Sequence, residues 1–581
     1  MQSKSHSDEI VSNIKGNSSF CCGPVSSSLR KLAALDCFEK NKIETGIHHL
    51  TESHALGFRS TILTKSSRLN RLQTKYLNLP HISFDPNFIS FDSEFTDENG
   101  EGLRKRLQEL PEEWTLVQIT QVFSPKTRCT PREAETPNSN SALHITRLPC
   151  GPKARKPFFI TLPEAEDATE RIRSIFETIS MSLNPVVKNC TPSKMLREFC
   201  VPGSKVFPKF CSVSKSSREE YSQKLKLLVD EISTNWLQQW RCLFLGQLCS
   251  SELNNKIVET VDSVLHNCKS KIGENEKSLL YQIMDGCGHL DDEEIQAAVS
   301  KCIQNQRVCK SMIAAVKNFK NANPSLVIAK RYPVLLILDE TLDRLPWEMM
   351  PVIKRHPVSR IFSVHFAHAL YSKYKDSISD GCFALKESDG GYFIINPDKD
   401  LDKMEKKICD FLSSRGTSWN GVAGKPPTNE EYSSAVTKHS LLLYCGHGNG
   451  TQHFSSETIF SLNVKAVPLL FGCSSVKMND LGGRVSLSGI AMRYITAGSP
   501  CVLGMLWKVT SNDADNMSIS LLNNWLPGDP VQISKFIKGD LEITIKSEPE
   551  LLRNLRYARE SCIYYTNAAA LVVYGIPVKF S

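Results

Sequence analysis

The sequence predicts an α/β protein whose carboxyl-terminal half is a mainly parallel sheet flanked by helices. Two observations predict it. The first is a series of short, continuous apolar runs after residue 330: YPVLLILD at 332–339, GYFIIN at 391–396, HSLLLYC at 439–445, AVPLLFG at 466–472 and CVLGMLW at 501–507. Strands buried on both faces read this way. The second is that helical segments lie between several of these runs, SLSGIAMRYITAG at 486–498 and a stretch from about 515 to 526 among them. Strand–helix alternation of this kind builds a parallel sheet covered on both sides.

The rest of the chain divides into two regions. Residues 1–110 are polar with scattered apolar clusters and read as partly disordered or partner-binding, and DSEFTDENGEG at 92–102 reads as a loop. From 111 to 330 a small β-meander carries a helical insertion. EWTLVQITQVF at 113–123, SALHITRLP at 141–149 and PFFITLP at 157–163 are strand-like, with turn-rich segments such as TPREAETPNSN between them. The insertion spans about 164–325. Ser217 and Glu220 have capping-box spacing. Tyr221, Leu225, Leu228, Ile232, Trp236, Trp240 and Leu243 follow at steps of three and four, so one amphipathic helix is expected. Another is expected to start near Asp291 and Asp292. Residues 331–581 form the third region, which carries the parallel sheet.

Composition excludes several classes. The 581 residues are 41% hydrophobic and 23% charged, enough to bury a sizeable core. A net charge of +8 over this length is a mildly basic surface and not a nucleic-acid site. KSSRLNRLQTK at 65–75 reads as a solvated face. The start has no apolar signal region, and no apolar run approaches the roughly 18 residues needed to span a bilayer. The twenty cysteines are scattered, with no CxxC, which argues for buried thiols in a reducing, intracellular setting.

Two of the apolar runs end abnormally. LLLYCGHGNG at 441–450 ends in His447 between two glycines, and VPLLFGCSS at 467–475 leads into Cys473. Functional groups of open α/β sheets collect beyond the carboxyl ends of the strands. On neighbouring strands the two residues would meet as a cysteine nucleophile and its histidine base. A thiol with a pKa near ~8.5 is mostly protonated at neutral pH and needs an imidazole to manage its proton. The amides of Gly448 and Cys473 would face a developing oxyanion. A metal reading through Cys445, His447 and His453 lacks a fourth ligand. No metal or cofactor is expected.

These motifs resemble the separase family, cysteine proteases of the caspase-like clan. LYCGHGNG resembles the family's histidine loop and PLLFGCSS its cysteine strand. DRLPWEMMPVIKRHPVSR at 343–360, GYFIINPDKDL at 391–401, SWNGVAGKPPT at 418–428, SGIAMRYITAGSPCVLGMLWKVTSNDAD at 488–515 and the closing YGIPV resemble further family segments in the same order. The chain departs from the pattern at Cys445, where the family usually has Ala, and at Lys508, where it usually has an acid.

The resemblance implies a caspase-like fold over 331–581 and an endopeptidase that cuts the kleisin subunit of cohesin after arginine in an E-x-x-R context, releasing sister chromatids at anaphase. Cys473 would attack and His447 would carry the proton. The acidic loop would hold the arginine through Asp515, with Asp513 as the second candidate, and Trp507 would wall the pocket. The alternatives are another Arg-specific protease of the clan and a non-catalytic scaffold. Glu101-Gly-Leu-Arg104 matches E-x-x-R, which makes Arg104 a candidate self-cleavage site. The implied partners are a securin-like, largely disordered inhibitor lying through the cleft and a separately encoded helical subunit docked on 1–110. The subunit would replace the family's long helical solenoid, for which this chain has no room. The implied location is cytoplasm, with access to nucleus, chromosomes and spindle.

Overall fold

The computed structural model describes residues 23–73, 83–91, 100–122, 142–162, 215–417, 419–479, 486–537 and 546–581. The turn-rich segment at 130–140 and the acidic stretch at 92–99 lie outside them.

One eleven-stranded sheet organises the described residues, in the order β3-β2-β1-β4-β5-β13-β12-β11-β10-β8-β9. Its strands are β1 (Thr115–Gln121), β2 (Leu143–Pro149), β3 (Phe158–Leu162), β4 (Val334–Leu338), β5 (Val358–Arg360), β8 (Gly391–Ile395), β9 (Asn420–Ala423), β10 (Leu441–Cys445), β11 (Val467–Leu470), β12 (Cys501–Met505) and β13 (Leu571–Gly575). The meander β1–β3 is antiparallel, as is the β12–β13 pair, and the other pairings are parallel. The buried apolar runs of β10 to β13 have the composition that double-sided cover requires. A small second sheet joins β14 (Val578–Phe580), β7 (Cys382–Leu385) and β6 (Ile378–Ser379).

Helices cover the sheet. The amino-terminal group is α1 (Gly23–Glu39), α2 (Ile43–Ser53), α3 (Leu56–Gln73) and α4 (Glu101–Glu109). The insertion contributes α5 (Lys215–Glu231), α6 (Ser251–Asn267), α7 (Glu274–Gly286), α8 (Asp292–Cys302) and α9 (Gln306–Ala322). The remainder are α10 (Val364–Tyr374), α11 (Asp402–Ser414), α12 (Asn429–Lys438), α13 (Ser456–Ser461), α14 (Ile490–Thr496), α15 (Ser511–Trp525), α16 (Leu551–Glu560) and α17 (Tyr565–Ala568).

The boundary expected at 330/331 does not divide the sheet. β1 pairs in parallel with β4 from Thr115↔Val334 to Ile119↔Leu338, so the meander and the parallel half share one hydrogen-bonded surface. The texture of the sequence changes there because the helical insertion between β3 and β4 ends, not because a core ends.

The amino-terminal helices are also part of this body. Glu52, buried in α2, pairs with Arg59 at 3.1 Å and with His365 of α10 at 2.7 Å. His54 Nε2 meets the Thr120 hydroxyl of β1 at 2.7 Å, and Lys31 pairs with Asp339 at the end of β4. Charges taken out of water need such partners. The apolar clusters that look too sparse for a core at sequence level complete one that other segments begin. Lys65, in a run expected to be a solvated face, pairs with Glu457 at 2.8 Å and lies over the Phe460 ring.

Two helix expectations change in detail. Ser217 falls within α5, Lys215–Glu231. The single amphipathic helix to Leu243 is instead α5, a π-turn at Ile232–Trp236 and a 3-10 stretch at Gln238–Phe244. The start of α8 matches: Asp291 and Glu294 form a reciprocal capping box.

Candidate active site

Beyond β10 and β11 the chain places both singled-out residues on one edge. The two strands are parallel neighbours, with Leu441 opposite Val467 and Tyr444 opposite Leu470. Their following loops therefore leave side by side. Gly448 takes a left-handed φ of +58°, which turns the histidine loop back on itself. A β-carbon on Gly472 would stand 1.9 Å from the Gly448 carbonyl oxygen and 2.8 Å from that of Gly446. The loops thus touch backbone to backbone, and only glycine fits there.

Several bonds fix these loops. The Tyr444 hydroxyl donates to the His447 carbonyl at 2.6 Å, and Gln452 Nε2 donates to it at 3.0 Å. Ser474, the residue after the cysteine, has a φ of +55°. A non-glycine residue held in that region stores strain of order 1 kcal/mol and needs surrounding support. The Ser474 N–H donates to the Trp507 carbonyl at 3.0 Å, and the buried Ser475 hydroxyl donates to Leu470 O at 2.7 Å while accepting from Met505 N. Among the described residues no acceptor meets the backbone N–H of Gly448 or of Cys473.

In this state the thiol and the imidazole have different partners. Cys473 Sγ donates to the Val509 carbonyl at 3.2 Å. Burial pushes this thiol up, against the smaller opposing pulls of the Val509 hydrogen bond and the Lys508 charge. His447 is about half exposed, and its Nε2 meets Asp400 at 3.0 Å. Sequence reasoning missed Asp400. The NPDKDL segment signals it, because Asn396 organises the turn that presents it.

The two acids proposed from sequence part company. Asp513 is fully buried, and its carboxylate accepts from Ile563 N (2.9 Å), Tyr564 N (3.1 Å) and Asn567 Nδ2 (2.8 Å). It ties the start of α15 to the segment between α16 and α17, so it is committed inside the fold and not to a pocket. Neither acid is the N-cap of α15: Thr510 is, through its hydroxyl to Asp513 N. Asp515 remains 13% exposed, with Lys407 of α11 3.5 Å away. It stands close enough to Cys445, at the root of the histidine loop, that its charge adds to burial in pushing that thiol up.

Trp507 is nearly buried, and its indole N–H donates to Thr566 O at 3.0 Å. Its carbonyl holds Ser474, so it supports the cysteine turn. Arg104 lies exposed in the first turn of α4, where the neighbouring Leu103 is buried. His453 faces Asp398 at 3.3 Å, so Cys445, His447 and His453 do not converge. Among the described residues no group of three or more His, Cys, Asp or Glu could hold a metal ion, and no helix is long and apolar enough to cross a membrane.

Residues 138–514 match the family model described as the separin protease domain. The chain is 27% identical over 397 residues to a separin of Mus musculus, covering 65% of this chain and 18% of that protein. It is 30% identical over 247 residues to a separin of Schizosaccharomyces pombe, covering 42% and 13%. It thus spans less than a fifth of the length of these relatives. Its fold is similar to that of a solved Saccharomyces cerevisiae separase–securin complex, with a TM-score of 0.65 at 18% identity, covering 95% of this chain and 36% of that one.

Proposed function

The chain belongs to the separin protease-domain family, and on that premise we propose that it is a separase-type cysteine endopeptidase cutting a cohesin kleisin after arginine. The observation that carries the reading is the backbone contact between the Gly446–Gly448 loop and Gly472. It brings an imidazole, a thiol and two N–H donors to one strand edge.

In this reading Cys473 Sγ attacks the scissile carbonyl, and His447 takes the thiol proton and returns it to the leaving amine. The Gly448 and Cys473 amides receive the oxyanion. One such donor is worth roughly 3 kcal/mol in other hydrolases. Arg at the cut site binds Asp515, because an always-charged guanidinium requires a carboxylate where water is scarce. Lys407 already stands beside that acid, so the incoming guanidinium shares it or displaces the lysine.

The partners follow from the same reading. A securin-like disordered chain would lie through the cleft with a basic residue near Asp515; the fold's likeness to a separase solved with securin supports this. A separately encoded helical subunit would have a smaller footprint on 1–110 than the sequence suggests, since α2 and α3 already pack on α10 through Glu52 and Phe58, and His54 between them bonds β1. The place of action would be the cytoplasm and, in mitosis, the chromosomes and spindle. Incubation with a cohesin kleisin, with and without Cys473→Ser, followed by mapping of the new termini, tests the proposal. A parent protein that leaves the kleisin uncut, or a Cys473→Ser variant that cuts it equally, would overturn it.

A further inference from the structure

His447 has a neighbour that the reading above does not use. Asp400 lies in the turn after β8, the strand that flanks β10 on the side away from β11. Its carboxylate oxygens stand 3.0 Å and 3.2 Å from His447 Nε2. Among the described residues it is the one hydrogen-bonding partner of that side chain.

The turn is built to hold this acid. Asn396 is fully buried and takes a left-handed φ of +51°. Its Oδ1 accepts from the N–H groups of Asp400 (3.0 Å) and Leu401 (2.9 Å), and its Nδ2 donates to Glu405 at 2.7 Å. Short polar side chains that bond the backbone ahead of them fix turns in this way. The backbone N–H of Asn396 donates to Cys445 O at 2.8 Å. Asn396 therefore fastens Asp400 to the strand end from which the histidine loop departs. Both side chains of the His447–Asp400 pair are more than half exposed, and exposed pairs stabilise a fold little. A rigid turn that presents an acid for so small a structural return points to a role in the reaction.

We infer that Asp400 is the positioning residue of the His447–Cys473 dyad, holding the Nε2 proton so that Nδ1 is the nitrogen that exchanges a proton. The inference rests on the dyad reading above. A carboxylate on one imidazole nitrogen fixes the tautomer and leaves the other as the base. Nδ1 then takes the thiol proton as Sγ bonds to the carbonyl carbon. It gives that proton to the amine as the C–N bond breaks, and water later hydrolyses the thioester. The other charged or titratable groups around the site are Asp398, His453, Tyr444, Cys445, Lys508, and Asp515 with Lys407. Asp398 stands 3.3 Å from His453, Tyr444 donates to the His447 backbone, the Lys508 charge acts on Cys473, and Asp515 acts on Cys445 and stands 3.5 Å from Lys407.

The test is Asp400→Asn in the full chain, against a peptide reporter with arginine at the cut site. kcat should fall tenfold or more, with KM within twofold of the parent. Asp400→Glu should recover part of the rate, and Asp398→Asn should change kcat/KM less than twofold. A second readout needs no substrate: the ring nitrogen-15 NMR shifts of His447 should report the Nε2–H tautomer in the parent and a mixed tautomer population in Asp400→Asn. If Cys473→Ser is inert while Asp400→Asn keeps the parent's kcat and the parent's His447 tautomer, this inference alone falls. If Cys473→Ser cuts like the parent, the dyad reading falls and takes this inference with it.

Discussion

Gly472 and Gly448 meet backbone to backbone: a single methyl group on Gly472 would stand 1.9 Å from the Gly448 carbonyl oxygen. Carbonyl oxygen on a main chain cannot swing aside as a flexible side chain would. Gly472→Ala should therefore push the histidine and cysteine loops apart. Overpacking of this kind costs typically 1–3 kcal/mol, while activity should fall much further, because the displaced groups are the reacting ones. Thermal melts and peptide cleavage, measured side by side, check the imbalance. A variant that loses stability but keeps its rate would mean that the loop contact does not set the site.

Cys473→Ser and His447→Ala should each abolish cleavage and leave the melt unchanged within a few degrees. Neither side chain takes part in a buried network. Because burial holds the thiol up, Cys473 in the free protein should react with iodoacetamide at neutral pH more slowly than a solvated cysteine does. Faster alkylation would show a dyad already ionised at rest.

Asp513→Asn and Asp515→Asn should separate folding from recognition. Asp513 accepts two backbone N–H groups and one amide in a fully buried site. Exchanging one carboxylate oxygen for an NH₂ sets donor against donor. Hydrogen bonds to charged groups are worth ~1.5–3 kcal/mol each, so this variant should melt markedly lower. Asp515→Asn should melt less far below the parent than Asp513→Asn, since the partner it leaves behind, Lys407, is partly exposed, but should lose kcat/KM on arginine substrates by a hundredfold or more. That is the scale of ~3–5 kcal/mol expected when one partner of a desolvated pair is removed. Equal melts with equal kinetics for the two variants would refute the assignment.

Acid should loosen the amino-terminal helices first. Burial holds His54 down to about 4 and His365 down to about 3, from an ordinary value of 6.5. Both are neutral in the fold and take up a proton on unfolding. A depressed folded-state pKa means that this stability is complete above about 6.5 and drains away as pH falls toward the folded values. Glu52 acts later: burial raises it, but Arg59 and His365 outweigh burial and keep its carboxyl well below 4.5. Hydrogen exchange over 43–62 should therefore be faster at pH 5 than at pH 7.5 after correction for intrinsic rates, and His54→Gln should reduce the difference. Protection that is independent of pH would contradict the account.

Arg104 should be a poor self-cleavage site in the folded protein. A protease binds its substrate extended, and here the first turn of α4 would have to melt while Leu103 leaves the core. Mass spectrometry of active enzyme should find no new terminus after Arg104 under native conditions. A stoichiometric cut there would show that α4 opens readily.

The central strands and the residues His447 and Cys473 at their ends stand out in the sequence for one physical reason. Fully buried parallel strands must be continuous apolar runs, so β4, β8, β10, β11 and β12 stand out, and residues that break such runs at their ends are conspicuous. Strands β5 and β9 have three and four residues, and β9 is partly exposed, so neither leaves an apolar signature. Asp400 was hidden because an exposed acid in a polar turn looks ordinary until its histidine is seen. Asp513 and Asp515 are two residues apart and chemically identical, and only the segment 563–567 folding back onto one of them tells them apart. The docking of α2 on α10 joins residues more than 300 positions apart through Glu52 and His365, a pairing that no local pattern announces.

The β1–β4 ladder has a consequence for anyone who would pare this protein down. A fragment starting at 331 would leave β4 with a bare flank of N–H and C=O groups above buried Leu335, Leu336 and Ile337. Such a flank recruits strands from other molecules. Nested amino-terminal deletions should therefore show an abrupt threshold in yield and solubility, falling before β1 and not at the change of texture near 330. The smallest fragment that stays soluble would keep the meander to cover that edge.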